Sequence, residues 1–165
     1  MPPLLTEEIR ALIGLEASFT APEELGRAAI RYFAIAIGDE NPLYVDDEYA
    51  RAEGYPSVIA PPTLVCETNQ YMSGRPNGDG YIGHQWPLPL SGLRAIRGGN
   101  EYEFHRPLLP HHRITARWRI ADIQEKLSSR GTPMLVVVSD VAYSEQSGEL
   151  LATNRETTIY QPRER

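Results

Sequence analysis

The sequence AIGDENPLYVD, residues 36–46, marks the point where an apolar helix ends and a polar turn begins. Before it, apolar residues recur at the spacing of one helix face, and this spacing predicts an amphipathic helix over residues 22–37. Gly38 is a natural end for that helix, because glycine tolerates the left-handed backbone of a C-terminal cap. Asp39 and Asn41 therefore lie where the chain leaves the core, and they either face a cleft or only cap and turn the backbone.

Two kinds of periodicity divide the chain around this turn. Helical spacing dominates the first part, and strand-like alternation dominates from about residue 93 onward. Helices are predicted over residues 6–13, 22–37, 46–52 and 62–72, and strands over residues 100–106, 113–123, 134–143 and 150–160. The order predicts an α+β domain, with a long helix lying on one face of an antiparallel sheet. Residues 73–91, rich in glycine and proline, are predicted to form a long loop.

The helix over residues 22–37 has the clearest pattern of these elements. Thr20 is its expected N-cap. The face expected to pack inward consists of Leu25, Ala28, Ala29, Tyr32, Phe33, Ala36 and Ile37.

Composition limits the classes of protein to which the chain can belong. Its 165 residues match one domain, 1–165, and its 16 basic and 22 acidic residues give a net charge of −6, which disfavours nucleic acid as a partner. No apolar run reaches the roughly 18 residues of a membrane span, so no membrane partner is expected. The single cysteine excludes an intrachain disulfide and is typical of a reducing cytoplasm. No phosphate-binding loop, dinucleotide glycine motif or metal-ligand cluster occurs, so no cofactor is expected.

The polar turn is part of a longer resemblance. Residues 30–63, the run GNEYEFHRPL at 99–108 and the run GELLAT at 148–153 resemble the MaoC-like dehydratases. The resemblance covers nearly the whole chain and is strongest to the N-terminal half of double-domain MaoC dehydratases. It implies a hot-dog fold, a curved antiparallel sheet wrapped around a central helix, which would be residues 62–72. It also implies pairing, because hot-dog domains assemble as homodimers or as heteromers.

The resemblance also implies a chemistry. Members of the family add water to trans-2-enoyl thioesters, or remove it from (3R)-hydroxyacyl thioesters. Their motifs are Gly-Asp-x-Asn-Pro-x-His-x-Asp and a later Ile-Ala-His-Gly. The Asp and the His of the first motif hold the water and move its protons, and the N–H of the later Gly stabilises the enolate-like oxygen. In this chain Asp39 and Asn41 match the acid and the amide.

Two positions depart from these motifs. Tyr44 stands at the position of the histidine, and a tyrosine with a usual pKa of about 10 is a poor general base at neutral pH. Pro61 and Pro62 stand at the His-Gly pair, and Pro62 has no N–H to donate. The N-terminal halves of double-hot-dog dehydratases share both departures. The resemblance therefore implies that Asp39, Asn41 and Tyr44 mark an ancestral catalytic site.

Further residues are candidates for binding the substrate. His84 lies in the loop of residues 73–91, which could fold over the site, and His105 could replace the missing base. The arginines of the second half either contact the phosphates of CoA or of a carrier protein, or only form a solvated strand face. The predicted substrate-binding set is Pro62, Thr63, His84, Arg94, Arg97 and His105.

These features favour a component of an enoyl-thioester hydratase or (3R)-hydroxyacyl-thioester dehydratase. In the preferred interpretation the chain is the substrate-binding subunit, which binds an acyl-CoA or acyl-carrier-protein thioester and pairs with a catalytic MaoC-type chain. One alternative is a self-sufficient homodimeric dehydratase that uses Asp39 with Tyr44 or with a displaced histidine. The other alternative is a non-catalytic acyl-thioester-binding protein.

Overall fold

The computed structural model describes residues 3–71, 75 and 84–163, with the backbone alone for residues 67–71. In this part of the chain one antiparallel sheet has the strand order β1-β3-β4-β5-β2. Its strands are β1 (Glu16–Thr20), β2 (Leu93–Phe104), β3 (Thr115–Leu127), β4 (Pro133–Ser144) and β5 (Leu150–Pro162). The α-helices are α1 (Glu7–Arg10), α2 (Arg27–Ile37) and α3 (Asp47–Ala52), and two 3-10 helices cover Pro42–Tyr44 and Pro62–Tyr71. The predicted α+β class is confirmed.

The four strands predicted from alternation are all present, although β2 begins at Leu93 and not at residue 100, and ends at Phe104 and not at residue 106. Along β3 the apolar positions face the core, and Trp118 and Ile120 are almost completely buried. The register between β3 and β4 shifts between Ile120 and Asp122, so Ile123 and not Asp122 continues the buried face. β4 pairs with strands on both sides and has the most continuous run of buried residues, as its β-branched sequence predicted.

β1 is the strand that the sequence pattern did not predict. It has only five residues, EASFT, and pairs along its whole length with the first part of β3. Its last residue, Thr20, lies opposite Thr115, and the two hydroxyl oxygens are 2.9 Å apart. A strand of five residues has too few apolar positions to show the two-residue alternation that identifies a strand in a sequence. Its pairing with β3 therefore decides its structure.

The start of α2 differs from the prediction for a related reason. Thr20 is not its N-cap, because the residues that follow continue the antiparallel contact with the segment before β3. Ala21 N–H donates to Ile114 C=O at 2.8 Å, and Leu25 N–H donates to His112 C=O at 2.9 Å. These backbone hydrogen bonds keep residues 21–25 out of the helix, which begins only after Gly26 at a positive φ of 76°.

The buried face of α2 also differs from the predicted one. Its fully buried residues are Ile30 and Ala34, whereas Tyr32 and Ile37 are 63% and 51% exposed. The helix is apolar almost all around, so its period alone does not identify the inner side. The predicted end is confirmed, because Gly38 adopts the left-handed conformation with φ 71°.

The shorter helices agree with the prediction in part. α3 begins after Asp46, whose carboxylate accepts hydrogen bonds from Glu48 and Tyr49 N–H at 2.8 and 3.1 Å. The helix predicted over residues 6–13 is the single turn α1. The segment predicted as helix 62–72 is a 3-10 helix, Pro62–Tyr71, and residue 72 lies outside the described residues. Of the predicted loop 73–91, residue 75 and residues 84–91 are described.

Gly98 sits at the irregularity in the register between β2 and β5, and its close packing gives a testable stability difference. A Cβ at Gly98 would lie 3.1 Å from the carbonyl oxygen of Thr157 and 3.2 Å from Cδ1 of Ile159. A Cβ at the adjacent Gly99 would meet nothing within 4 Å. We expect Gly98→Ala to lower the free energy of unfolding by about 1–3 kcal/mol, because the backbone of β5 cannot move aside freely.

Gly99→Ala is the matched control, and its free energy of unfolding should stay within about 0.5 kcal/mol of the wild type. Chemical denaturation of both variants measures the difference. Equal stabilities would show that β2 moves away from β5 without cost.

Candidate functional site

The turn after α2 holds the predicted acid in a defined position. Because Gly38 takes the left-handed conformation, Asp39 N–H reaches back to Ala34 C=O at 2.9 Å. The Asp39 carboxylate then accepts the N–H of Asn41 through Oδ1 at 3.1 Å. The carboxylate is exposed on the surface. The turn therefore presents the Asp39 carboxylate to solvent as a hydrogen-bond acceptor. The backbone that carries it is held between α2 and the 3-10 helix Pro42–Tyr44.

Asn41 and Tyr44 are brought to the same place by the short 3-10 helix Pro42–Tyr44. Asn41 Oδ1 accepts from Leu43 N–H at 3.0 Å and so caps this helix. One turn later the Tyr44 side chain is buried, and its hydroxyl makes side-chain hydrogen bonds with Asp39 and Asn41. The structure thus joins the three residues of the predicted ancestral site into one cluster.

The environment of Tyr44 raises the pKa of its hydroxyl. Desolvation on burial is the largest cause, and the negative charge of Asp39 together with its hydrogen bond adds to it. A phenol whose pKa lies above its usual value of about 10 stays protonated at neutral pH and donates its proton. Tyr44 can therefore hold an acceptor oxygen, but it cannot take a proton from water.

The segment that leads to Pro61 and Pro62 runs directly beside this cluster. Ile59 N–H donates to Leu43 C=O at 3.0 Å, next to Tyr44 in the chain. Pro62 begins the 3-10 helix Pro62–Tyr71, and both Pro62 and Thr63 are exposed. A proline at this first position offers no N–H, so the helix start cannot supply a donor from Pro62.

A cavity of about 320 Å³ opens beside Tyr44, and two arginines of α2 contribute to its lining. Arg27 and Arg31 stand one helical turn apart, on the same side of the helix. Arg27 Nη1 lies 2.8 Å from Oδ2 of Asp47. The Arg27 hydrogen bond is the main cause that lowers the pKa of Asp47, and the Val58 N–H bond is the second. Arg31 lies over the ring of Tyr32, 5.2 Å from its centroid.

These two arginines were not among the predicted site residues. The signal for them was a pair of arginines at i and i+4 in the helix that leads into the polar turn. That pair alone does not show on which side of the helix the turn folds back. Two guanidinium groups around one cavity can bind phosphate or carboxylate groups.

The structure places His84 in an aromatic cluster. Its ring packs against Phe19, Trp86 and Trp118, with centroid distances of 5.1, 4.3 and 4.7 Å. Desolvation in this cluster lowers the pKa of His84 to about 4. Nε2 of His84 is buried and has no hydrogen-bond partner among the described residues, whereas Trp86 donates its indole N–H to Ser139 at 2.9 Å. His84 is thus a neutral part of the aromatic packing between β1 and β3.

The remaining predicted residues lie on or just beyond β2. With the Gln161 amide oriented to accept, its oxygen lies 2.7 Å from Nη2 of Arg94. Arg97 interacts electrostatically with the buried Glu156, whose pKa is raised by desolvation and partly lowered again by Arg97. His105 Nδ1 lies 3.8 Å from Oε1 of Glu103 on the surface. Among the described contacts, none joins these side chains to Asp39 or Tyr44.

Within residues 3–71, 75 and 84–163, no three His, Cys, Asp or Glu side chains are grouped so that they could hold a metal ion. None of the helices in this part of the chain is long and apolar enough to cross a membrane.

Comparison with known proteins relates this arrangement to a family. A family model described as the FAS1-like dehydratase domain region matches residues 11–154. A UPF0336 protein of Streptomyces coelicolor is 35% identical over 144 residues, which cover 87% of this chain and 89% of that protein. A probable enoyl-CoA hydratase alpha subunit of Thermomonospora curvata is 33% identical over 141 residues, which cover 76% of this chain and 41% of that protein.

Solved structures agree with the sheet and helices described above. A chain of the ChsH1–ChsH2 complex from Mycobacterium tuberculosis is similar with a TM-score of 0.74 and 22% identity, covering 96% of this chain and 90% of that chain. The MaoC-like dehydratase from Rhodospirillum rubrum is similar with a TM-score of 0.66 and 20% identity, covering 93% and 94%. The predicted hot-dog fold is confirmed. The chain belongs to the family described as the FAS1-like dehydratase domain region, and it has the hot-dog fold of the MaoC-like dehydratases.

Proposed function

We propose that the chain is the substrate-binding subunit of an enoyl-thioester hydratase or (3R)-hydroxyacyl-thioester dehydratase, paired with a catalytic MaoC-type chain. The observation that carries the proposal is the pairing of Tyr44 with Asp39. Burial and the Asp39 charge raise the pKa of Tyr44, so the place of the family's base holds a proton donor. Pro62 removes the second element, the N–H for the enolate-like oxygen.

The same residues remain suited to binding a thioester. The Tyr44 hydroxyl is held by Asp39 and Asn41, and by turning its single O–H away from Asp39 it can donate to a carbonyl or hydroxyl oxygen of the acyl group. Arg27 and Arg31 border the adjacent cavity, where the phosphates of CoA or of a carrier protein would meet the guanidinium group of Arg31 and that of Arg27, which is also paired with Asp47. In this proposal the chain binds and positions the substrate. The Asp and the His of the catalytic MaoC-type chain carry out the proton transfers.

Strand β2 is the surface that we propose for the partner. It is a 12-residue edge strand, and nearly all of its residues are exposed. Ile96 and Phe104 are 37% and 42% exposed, although both are large apolar residues. A long exposed edge offers unpaired N–H and C=O groups to another strand, and natural proteins rarely leave such an edge uncovered. A strand of the catalytic chain would continue the sheet there.

Apolar residues around the Asp39 cluster also support a partner. Ile35, Val45 and Tyr49 are all exposed, and they surround the turn from α2, the 3-10 helix and α3. Exposed apolar side chains grouped around a site are typical of interaction surfaces.

The experiment that tests the proposal is to purify the chain alone and together with a MaoC-type chain of the same genome that keeps Gly-Asp-x-Asn-Pro-x-His. Hydration of crotonyl-CoA and of longer enoyl-CoAs is then measured for both preparations. We expect the pair to be active and the isolated chain to be slower by at least about 10², the effect of one lost base or oxyanion donor. Asp39→Asn in this chain should change the kcat of the pair less than the equivalent change in the partner.

The outcomes separate the alternatives. Full activity of the isolated chain that Asp39→Asn abolishes would favour the self-sufficient homodimer and contradict the proposal. Absence of activity in both preparations, with retained binding of the thioester, would favour the non-catalytic binding protein.

A further inference from the structure

A second cavity, of about 240 Å³, lies on the other side of α2 from Tyr44. Ala29 and Phe33 of α2 line it, whereas Arg27 and Arg31 line the cavity beside Tyr44. With 3.6 residues per turn, these two pairs point roughly 160° apart around the helix axis. The second cavity is therefore separate from the candidate site, and it plays no part in the proposed function.

The walls of this cavity are apolar. Leu25 and the two α2 residues form one side, and Leu64 and Ile114 form the side toward the core. Leu64 and Ile114 are almost completely buried. An apolar cavity of about 150 Å³ already suffices to bind benzene, so the space is large enough for a small organic molecule.

Among the described residues, His112 is the polar side chain inside this apolar space, and Glu23 and Glu24 lie at its rim. His112 is only 8% exposed and lines the cavity. Its Nδ1 accepts the N–H of Leu109 at 3.2 Å, so this nitrogen carries no proton. Burial and the neighbouring His111 lower the pKa of His112, which keeps the ring neutral. The proton of the neutral ring is then on Nε2, which has no hydrogen-bond partner among the described residues.

The mouth of the cavity has the opposite character. Glu23 and Glu24 lie at its rim and are exposed. Two carboxylates at the entrance repel an anion, and the apolar walls behind them offer no cation to compensate its desolvation. The ligand that fits this cavity is uncharged.

We propose that this cavity binds a small uncharged molecule with an alkyl chain and one oxygen acceptor, such as a ketone, an ester or an alcohol. Its oxygen accepts the Nε2–H of His112, and its alkyl chain packs between α2 and Ile114. A pocket with apolar walls and one well-placed polar group is the usual form of a small-molecule site. The single donor sets the orientation of the ligand, and the two glutamates exclude fatty acids and other carboxylates.

The full chain can be tested with 2-heptanone and with hexanoate, which has the same number of non-hydrogen atoms. Methyl NMR signals of Leu25, Ala29 and Leu64 report on the cavity during each titration. We expect saturable shifts with 2-heptanone at a Kd on the order of 1 mM, and binding of hexanoate at least about tenfold weaker.

Two variants identify the site. Ala29→Leu fills the cavity and should abolish saturable binding, whereas Ala36→Leu, on the exposed end of the same helix, is its matched control. His112→Asn keeps an acceptor for Leu109 N–H but removes Nε2–H. It should weaken 2-heptanone about tenfold and leave benzene, which has no oxygen acceptor, unchanged.

Retained wild-type spectra outside the cavity show that each variant is folded. Equal affinities for 2-heptanone and hexanoate, unchanged binding in Ala29→Leu, or no saturable shift up to about 20 times the expected Kd would each overturn the proposal.

Discussion

Replacing Tyr44 by His and Pro62 by Gly together is expected to increase the rate of crotonyl-CoA hydration by the isolated chain by at least about 10². An imidazole next to the Asp39 carboxylate has a usual pKa of about 6.5 and can take a proton from water at neutral pH. Glycine at position 62 restores an N–H at the start of the 3-10 helix, and one such donor is worth about 10²–10³ in kcat. Loss of the enoyl-thioester absorbance measures the rate.

Single variants and a triple variant provide the controls for this gain. Tyr44→His alone should recover less activity than the double variant, because the enolate-like oxygen still lacks its donor. Adding Asp39→Asn to the double variant should remove most of the gain, since the acid that orients the water is lost. If the double variant stays as inactive as the wild type while it remains folded, residues other than these two positions prevent catalysis.

Replacing Ile96 by Lys is expected to weaken binding of the catalytic MaoC-type chain by about 10² or more. Ile96 lies in the edge strand β2 opposite Ile159 of β5 and is partly exposed. In the proposed complex the partner's strand covers the exposed third of this side chain, so the substitution removes apolar burial worth about 1–2 kcal/mol and also places an ammonium group in the interface, which adds to the loss. Each 1.4 kcal/mol corresponds to a factor of ten in Kd.

Leu127→Lys is the matched control, because Leu127 is an exposed strand residue at the end of β3, where no partner is proposed. Calorimetric titration of both variants against the partner measures the Kd. Equal weakening by the two substitutions, or none by Ile96→Lys, would show that β2 is not the surface of association.

The four long strands, β2 to β5, could be predicted from the sequence. The alternation around Trp118 and the β-branched run of β4 result from burial on one face, and this burial constrains each second residue. The five residues of β1 carry little such pattern, because a strand this short has only two half-buried positions. The local pattern is also insufficient at the start of α2, where the hydrogen bond from Ala21 N–H to Ile114 C=O replaces the expected cap at Thr20.

The candidate site shows a similar division. Asp39, Asn41 and Tyr44 are within six residues of one another, so a local turn suffices to bring them together, and the resemblance to the family identified them. Arg27 and Arg31 could be assigned to the site only from the structure. They line the cavity because α2 packs against the polar turn with this side facing Tyr44. The packing of His84 with Trp86 and Trp118 was likewise visible only in the structure.

The sequence by itself determined the family, the α+β class, the position of the polar turn and the two departures at Tyr44 and Pro62. Each depends on residues that are neighbours in the chain or repeat with a fixed period. The tertiary structure decided which side of α2 is buried, where the pairs Arg27–Arg31 and His84–Trp118 lie, and that β2 is an exposed edge. These features depend on contacts between segments that are far apart in the chain. The free energy of those contacts cannot be inferred from a local sequence pattern.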